Sequence, residues 1–157
     1  MLTFLIFIIV SVILLYIIYM YCRGGVNTNY PDLTGKVVVV TGTNRGIGFE
    51  VVRNLAKLNA TIVCLCRNEE AQIRCNIIIS KETNNKNLEF IRCDLLDLEN
   101  VKKCCNKIKQ KYQKIDLLIN IAGIMASPFH LSKQNIEGRM ATNHIGHAYL
   151  INNFWFF

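Results

Sequence analysis

No charged side chain occurs before Arg23. Residues 2 to 21, LTFLIFIIVSVILLYIIYMY, are almost all Leu, Ile, Val, Phe and Tyr. The run also lacks the marks of a cleavable leader, which are a basic start, a shorter apolar stretch and a small-residue cleavage site. A core helix of a soluble domain would carry a polar side, and this run has none. As a helix rising about 1.5 Å per residue it reaches roughly 30 Å, the thickness of a bilayer's hydrocarbon. Residues 1–22 are therefore expected to form a single-pass transmembrane anchor that meets the lipid bilayer through residues 2–21, with an uncleaved or cleaved secretion signal as the alternative.

Acidic residues are scarce. Eleven Asp and Glu face eighteen Lys and Arg, for a net charge of +7. Six lysines (102, 103, 107, 109, 111 and 114) crowd one segment, which reads as a solvated helix face or as a patch for anionic lipid. No nucleic-acid module and no interleaved aromatics accompany them, so nucleic acid is not an expected partner. The seven cysteines follow no disulfide-framework spacing and contain no C-x-x-C. His144 and His147 are three apart with no third ligand in view, so no metal site is expected. The thiols read as free, small apolar side chains on the reducing side of a membrane. That favours a cytosolic face for the soluble part, although the charges flanking the run fix its orientation poorly. Internal repeats and low-complexity tracts are missing too.

Only two prolines occur, and Pro31 sits with Gly24, Gly25 and Gly35 in residues 23–35, a polar linker. Beyond it apolar runs alternate with helical periodicities. VVVV (37–40), TIVCLC (61–66), LEFIRC (88–93) and IDLLIN (115–120) read as buried strands. Between them, IGFEVVRNLAKL places Ile47, Val51, Leu55 and Leu58 on one helical face. EEAQIRCNIIISKE carries acids in its first turn, where the helix dipole favours them. LDLENVKKCCNKIKQKY lines up Leu98, Val101, Cys105, Ile108 and Tyr112. SKQNIEGRMATNHIGHAYLINN is expected as one long helix opened by Ser132, and ETNNKN as a surface loop. Crossovers of this length require parallel strands with helices on both faces. The fold class is α/β, the N-terminal part of a doubly wound parallel-sheet Rossmann fold. Residues 36–157 are expected to form it, with strand order 3-2-1-4.

In such a sheet the ligand lies beyond the carboxyl ends of the strands. The first strand-to-helix turn reads Thr41, Gly42, Thr43, Asn44, Arg45, Gly46, Ile47, Gly48. Gly42 suits a tight turn, Gly46 lets backbone approach a diphosphate, and Gly48 permits close helix packing. The helix amino terminus then faces the phosphates. Arg67 ends the second strand, where an acid would bond the ribose hydroxyls of NAD. An Arg there favours a 2′-phosphate instead, with Arg45 able to close on it. NADP(H) is thus expected over NAD(H), although Glu69 and Glu70 follow closely.

The spacing T-G-x-x-x-G-x-G resembles the classical short-chain dehydrogenase/reductase family, and the resemblance covers about residues 35 to 150. Asp94-Leu95 matches the family's adenine-contacting Asp. Asn120-Ile121-Ala122-Gly123 matches its N-N-A-G with Ile for the second Asn, and Asn143 matches the helical Asn of its catalytic tetrad. GKVVVVTG, the Cys-Arg after the second strand and N-H-x-G-H look most like the membrane-anchored retinol dehydrogenase branch. The resemblance implies hydride transfer between a nicotinamide dinucleotide and a lipophilic carbonyl or alcohol, at the endoplasmic reticulum. It also implies a catalytic Ser and a Tyr-x-x-x-Lys, and no Y-x-x-x-K occurs in these 157 residues. The Rossmann domain is expected to be incomplete at its carboxyl end, its strand at 115–120 left as an apolar edge. The aromatics of INNFWFF are expected to have nothing to pack on. The chain is expected to lack catalysis by itself as a partial form of the enzyme. The alternative is a non-catalytic, membrane-anchored module that binds NADP(H) or a partner.

Overall fold

An unbroken apolar run has no polar face to turn outward, so as a helix it leaves its whole surface to an apolar medium. The computed structural model describes residues 2–25, 29–155 and 157. Met1 of the predicted anchor, residues 26–28 of the predicted linker and Phe156 lie outside them. The first unit, residues 1–30, contains helix α1 (Leu2–Cys22), long and apolar enough to cross a membrane. Its Ser11 hydroxyl donates to the Phe7 carbonyl at 2.8 Å, so that polar group is satisfied within the helix. Tyr16, Tyr19 and Tyr21 gather toward its carboxyl end, as at a membrane–water boundary.

The second unit, residues 31–157, is built on β1 (Val37–Thr41), where Val38, Val39 and Val40 are buried. Branched side chains suit a strand covered on both faces. β2 (Thr61–Cys66), β3 (Leu88–Arg92) and β4 (Leu117–Ile119) join it in one parallel sheet of order β3-β2-β1-β4. Val40 pairs with Cys64 on one side and Ile119 on the other. The strand order and the α/β class are as the sequence implies. β4 is shorter than the predicted 115–120, because Asp116 serves β1 instead. Its carboxylate accepts from the Val37 N–H at 2.9 Å and holds Lys36 at 3.1 Å and Lys114 at 3.2 Å. β4 forms an edge of the sheet, with Leu117 45% exposed.

Helices α2 (Gly46–Lys57) and α3 (Glu69–Thr83) cover one face of the sheet. The buried face of α2 is Gly48, Val52 and Ala56 rather than the Ile47 face expected, and Ile47 is 74% exposed. Small residues set this face because the helix start lies close against the turn before it. The loop after α3 is not wholly a surface loop. Asn84 (φ 58°) ends the helix in the left-handed region, and buried Asn85 donates to the Ala56 and Ala60 carbonyls.

Helix α4 (Leu98–Lys111) covers the opposite face with Val101, Cys104, Cys105 and Ile108. The long helix expected from Ser132 starts later. Ser132 instead heads a tight turn in which its hydroxyl accepts from the Ile136 N–H and Leu131 bridges to Glu137. Glu137 is the true cap, accepting from the Met140 N–H. The helix then runs through α5 (Gly138–Met140), a π turn (Ala141–Ile145) and α6 (Gly146–Phe154). Phe154 packs against the α4 side of the core and its ring meets Phe157 at 6.3 Å, so part of the aromatic tail does find partners. Trp155 stays 72% exposed.

The backbone and lysine bonds to Asp116 hold its carboxyl at about 2, below the ordinary 3.8. A depressed carboxyl stabilises the fold above its unfolded value and loses that contribution as pH falls through the folded one. Asp116→Asn is therefore expected to be less stable than the parent at neutral pH. The gap should close between about pH 4 and pH 2, read from urea midpoints across pH.

Candidate functional site

Parallel strands end at one edge, and their side chains and loops meet there. A cleft of about 720 Å³ lies along the carboxyl ends of β1, β2, β3 and β4. It is lined by Gly42, Asn44, Arg45, Gly46, Ile47 and Gly48 of the first turn, by Arg67, by Asp94 and Leu95, and by Ala122 and Gly123. Eleven of the thirteen site residues expected from sequence thus share one wall system. Asn120 is exposed at the end of β4 and does not line the cleft. Asn143 is exposed and does not line the cleft either. Its amide oxygen accepts from the Ile124 N–H, and its amide nitrogen donates to the Ile124 carbonyl, both at 2.9 Å.

The glycines act by different means. Gly42 has φ 73°, and a Cβ there would lie 2.7 Å from the Ala122 Cα. A Cβ on Gly48 would fall 2.1 Å from the Gly42 carbonyl oxygen, so Gly48 packs on the turn itself. Gly46 (φ 56°) faces open space, leaving its backbone free to be approached. No side chain caps α2, whereas Asn68 caps α3 and Asp97 caps α4. The first-turn N–H groups of α2 therefore remain available at the cleft.

Sequence reasoning missed the groups that hold this geometry. The Thr41 hydroxyl oxygen accepts from the Ile121 N–H at 2.9 Å and the Ala122 N–H at 3.1 Å. Both lone pairs are then used, so its proton goes to His147 Nε2, 3.0 Å away. His147 is accordingly neutral, with its Nδ1–H directed to the Asn143 carbonyl at 3.4 Å. Burial keeps its pKa below the ordinary 6.5. Thr43 is fully buried and donates to Gln72 Oε1 at 2.6 Å, and the Cys75 thiol donates to the Asn44 carbonyl. A buried Thr next to glycine at a strand end was the available signal for both threonines.

Arg45 and Arg67 are exposed, and among the described residues neither is ion-paired. Asp94 turns inward, accepting from the Leu96 N–H at 3.1 Å. Cys66, on the cleft floor, donates to the Asn68 carbonyl, and burial pushes its thiol up to about 11. It is no nucleophile at neutral pH. Among the described residues no group of His, Cys, Asp and Glu could hold a metal ion. All seven cysteines are free.

A glycine turn opening a helix, a basic residue closing the second strand and an order-reversing parallel sheet define a dinucleotide-type cleft. A family model for short chain dehydrogenase matches residues 36–155. The chain belongs to the short-chain dehydrogenase family of oxidoreductases. An uncharacterised oxidoreductase of Schizosaccharomyces pombe is 39% identical over 117 residues, which is 74% of this chain and 34% of that protein. Human retinol dehydrogenase 13 is 33% identical over 132 residues, 84% of this chain and 40% of its own length. The chain thus spans well under half the length of both. A crystal structure from Mycobacterium paratuberculosis superposes with a TM-score of 0.70 at 31% identity, covering 84% of this chain and 46% of that one. A short chain dehydrogenase of Shigella flexneri 2a complexed with NADP gives 0.67 at 25% identity, covering 80% and 54%.

Protonation of His147 would break its bond from Thr41. The unfolded chain takes up a proton near pH 6.5 that the folded chain resists, so stability should fall as pH drops below that value. His147→Gln, which keeps an acceptor for Thr41 without titrating, should flatten the decline between about pH 7 and pH 5 in denaturant titrations.

Proposed function

We propose that these residues form the cofactor half of a membrane-anchored, NADP(H)-dependent oxidoreductase of retinol dehydrogenase type. The observation that carries the reading is that Arg45 and Arg67, neither ion-paired among the described residues, line one cleft with a helix start that no side chain caps. A 2′-phosphate offers both of them a charge-assisted, bidentate partner. The cleft suits a dinucleotide in other respects. Gly46 leaves backbone open to a diphosphate, Asp94 and Leu95 line the β3 end for an adenine, and Thr142 Oγ1 is buried in the wall without a hydrogen-bond partner among the described residues.

When bound, the nicotinamide supplies or takes the hydride. The chain's own residues hold and orient it. The first-turn N–H groups of Gly46, Ile47 and Gly48 would hold the diphosphate. Asn44 shapes the turn, Ala122 and Gly123 let the β4 end approach, and Asn120 lies just before them. Asn143 fixes the Ile124 backbone at the far end of the cleft. In the tetrad reading Asn143 belongs to the proton path, whose phenol and ammonium partners would come from a Tyr-x-x-x-Lys that these residues do not contain. The activity assigned to this chain is therefore cofactor binding, and the transfer to a lipophilic carbonyl or alcohol is assigned to the whole enzyme.

The length and apolar composition of α1 support a membrane location, and the free thiols favour a cytosolic face at the endoplasmic reticulum for the remainder. The domain limits proposed are an anchor at 1–22, a linker at 23–35 and the cofactor domain from 36.

Arg67→Glu replaces attraction to the 2′-phosphate with repulsion. NADPH affinity should fall about 10- to 100-fold, while NADH affinity changes little, in fluorescence titrations. Equal loss for both cofactors would defeat the assignment of Arg67.

A further inference from the structure

The six lysines between residues 102 and 114 are not equivalent. Lys111 pairs with Glu89 at 2.8 Å, and Lys114 pairs with Asp116 at 3.2 Å. Lys102, Lys103, Lys107 and Lys109 are exposed on α4, and among the described residues none of them forms an ion pair. Glu99 is the one acid on the same helix. Beside this helix lies the end of α6, packed against it through Leu150 and Phe154. There Lys109 Nζ stands 5.7 Å from the centre of the Phe157 ring, and Trp155 is largely exposed.

Unpaired ammonium groups edged by an exposed Trp and a Phe are the composition of a surface that meets lipid headgroups. The sequence adds a reason for such a surface to be used. The connector of residues 23–36, even fully extended, reaches only about 50 Å. A domain tethered that closely is held at high effective concentration over the bilayer. We propose that the α4 face, with Trp155 at its edge, docks on an anionic bilayer surface. This rests on α1 being a membrane anchor, a reading the test can separate. Each lysine near such a surface is worth roughly fivefold in the docking equilibrium, screened by salt.

Trp155 is the only tryptophan of the chain, so its fluorescence reports this face alone. The full chain would be reconstituted in phosphatidylcholine vesicles, with and without roughly one-third phosphatidylserine, each containing brominated lipid. In the anionic vesicles Trp155 should shift to the blue and be quenched, and salt at about 1 M should reverse both. Lys102→Gln and Lys103→Gln together should weaken docking, and adding Lys107→Gln and Lys109→Gln should abolish it, with circular dichroism unchanged. Equal emission in both vesicles, or quenching indifferent to charge and salt, would overturn the proposal. Quenching that tracks protein density rather than lipid charge would assign the face to a second copy and overturn it too. Flotation with neutral vesicles at high salt tests the anchor independently. Charge-dependent quenching without such flotation would keep the docking face and discard the anchor.

Discussion

One hydroxyl joins most of the cleft edge. Thr41 ends the central strand, and its oxygen takes two backbone N–H groups from the segment after β4 while giving its proton to His147 on α6. A hydroxyl has one proton and two lone pairs, and here all three are used. The arrangement draws Ala122 close enough to Gly42 that no side chain fits between them. A methyl in place of this hydroxyl would leave two part-buried N–H groups and a buried imidazole nitrogen without this partner, a larger loss than that of one bond.

The turn that follows is held from the other side. Gln72 on α3 receives the Thr43 hydroxyl and is itself steadied by Asn76, while Cys75 reaches the Asn44 carbonyl. The same helix begins just after Arg67. α3 therefore braces the turn proposed for the diphosphate and follows directly on the Arg67 proposed for the 2′-phosphate. Arg67 is exposed on a loop, but its neighbour Asn68 is tied into the helix cap, accepting from the Ala71 N–H.

Much of this was legible because the signals are periodic or compositional. All-apolar strands, a T-G-x-x-x-G-x-G turn and a lysine-flanked helix announce their places without tertiary knowledge. The misses have a common origin in residues whose role depends on distant partners. The buried face of α2 lies one position from the apolar periodicity, because Gly48 and Ala56 carry little hydrophobicity yet are buried, Gly48 against the backbone of the turn before it. Ser132 looked like a helix cap but serves a turn six residues ahead of the helix. Asn85 resembled its neighbours in a polar loop, and only the fold shows two carbonyls waiting for it. His147 stands in the N-H-x-G-H stretch, but its partner lies 106 residues away and nothing local names it.

The helix after β4 contains a π turn over Ala141–Ile145, a rare irregularity concentrated at functional sites. Three residues in and just beyond it touch three different strand ends. Asn143 holds Ile124 after β4, Gly146 lies against the Leu95 carbonyl after β3, and His147 meets Thr41 of β1. The segment works as a gauge block, setting the relative heights of the cleft walls by its own length. Shortening it by one residue would restore a regular helix yet rotate everything beyond by about 100°. Asn143 would keep its grip while His147 swung away from the sheet. In this stretch the number of residues is as much a part of the site as their identity.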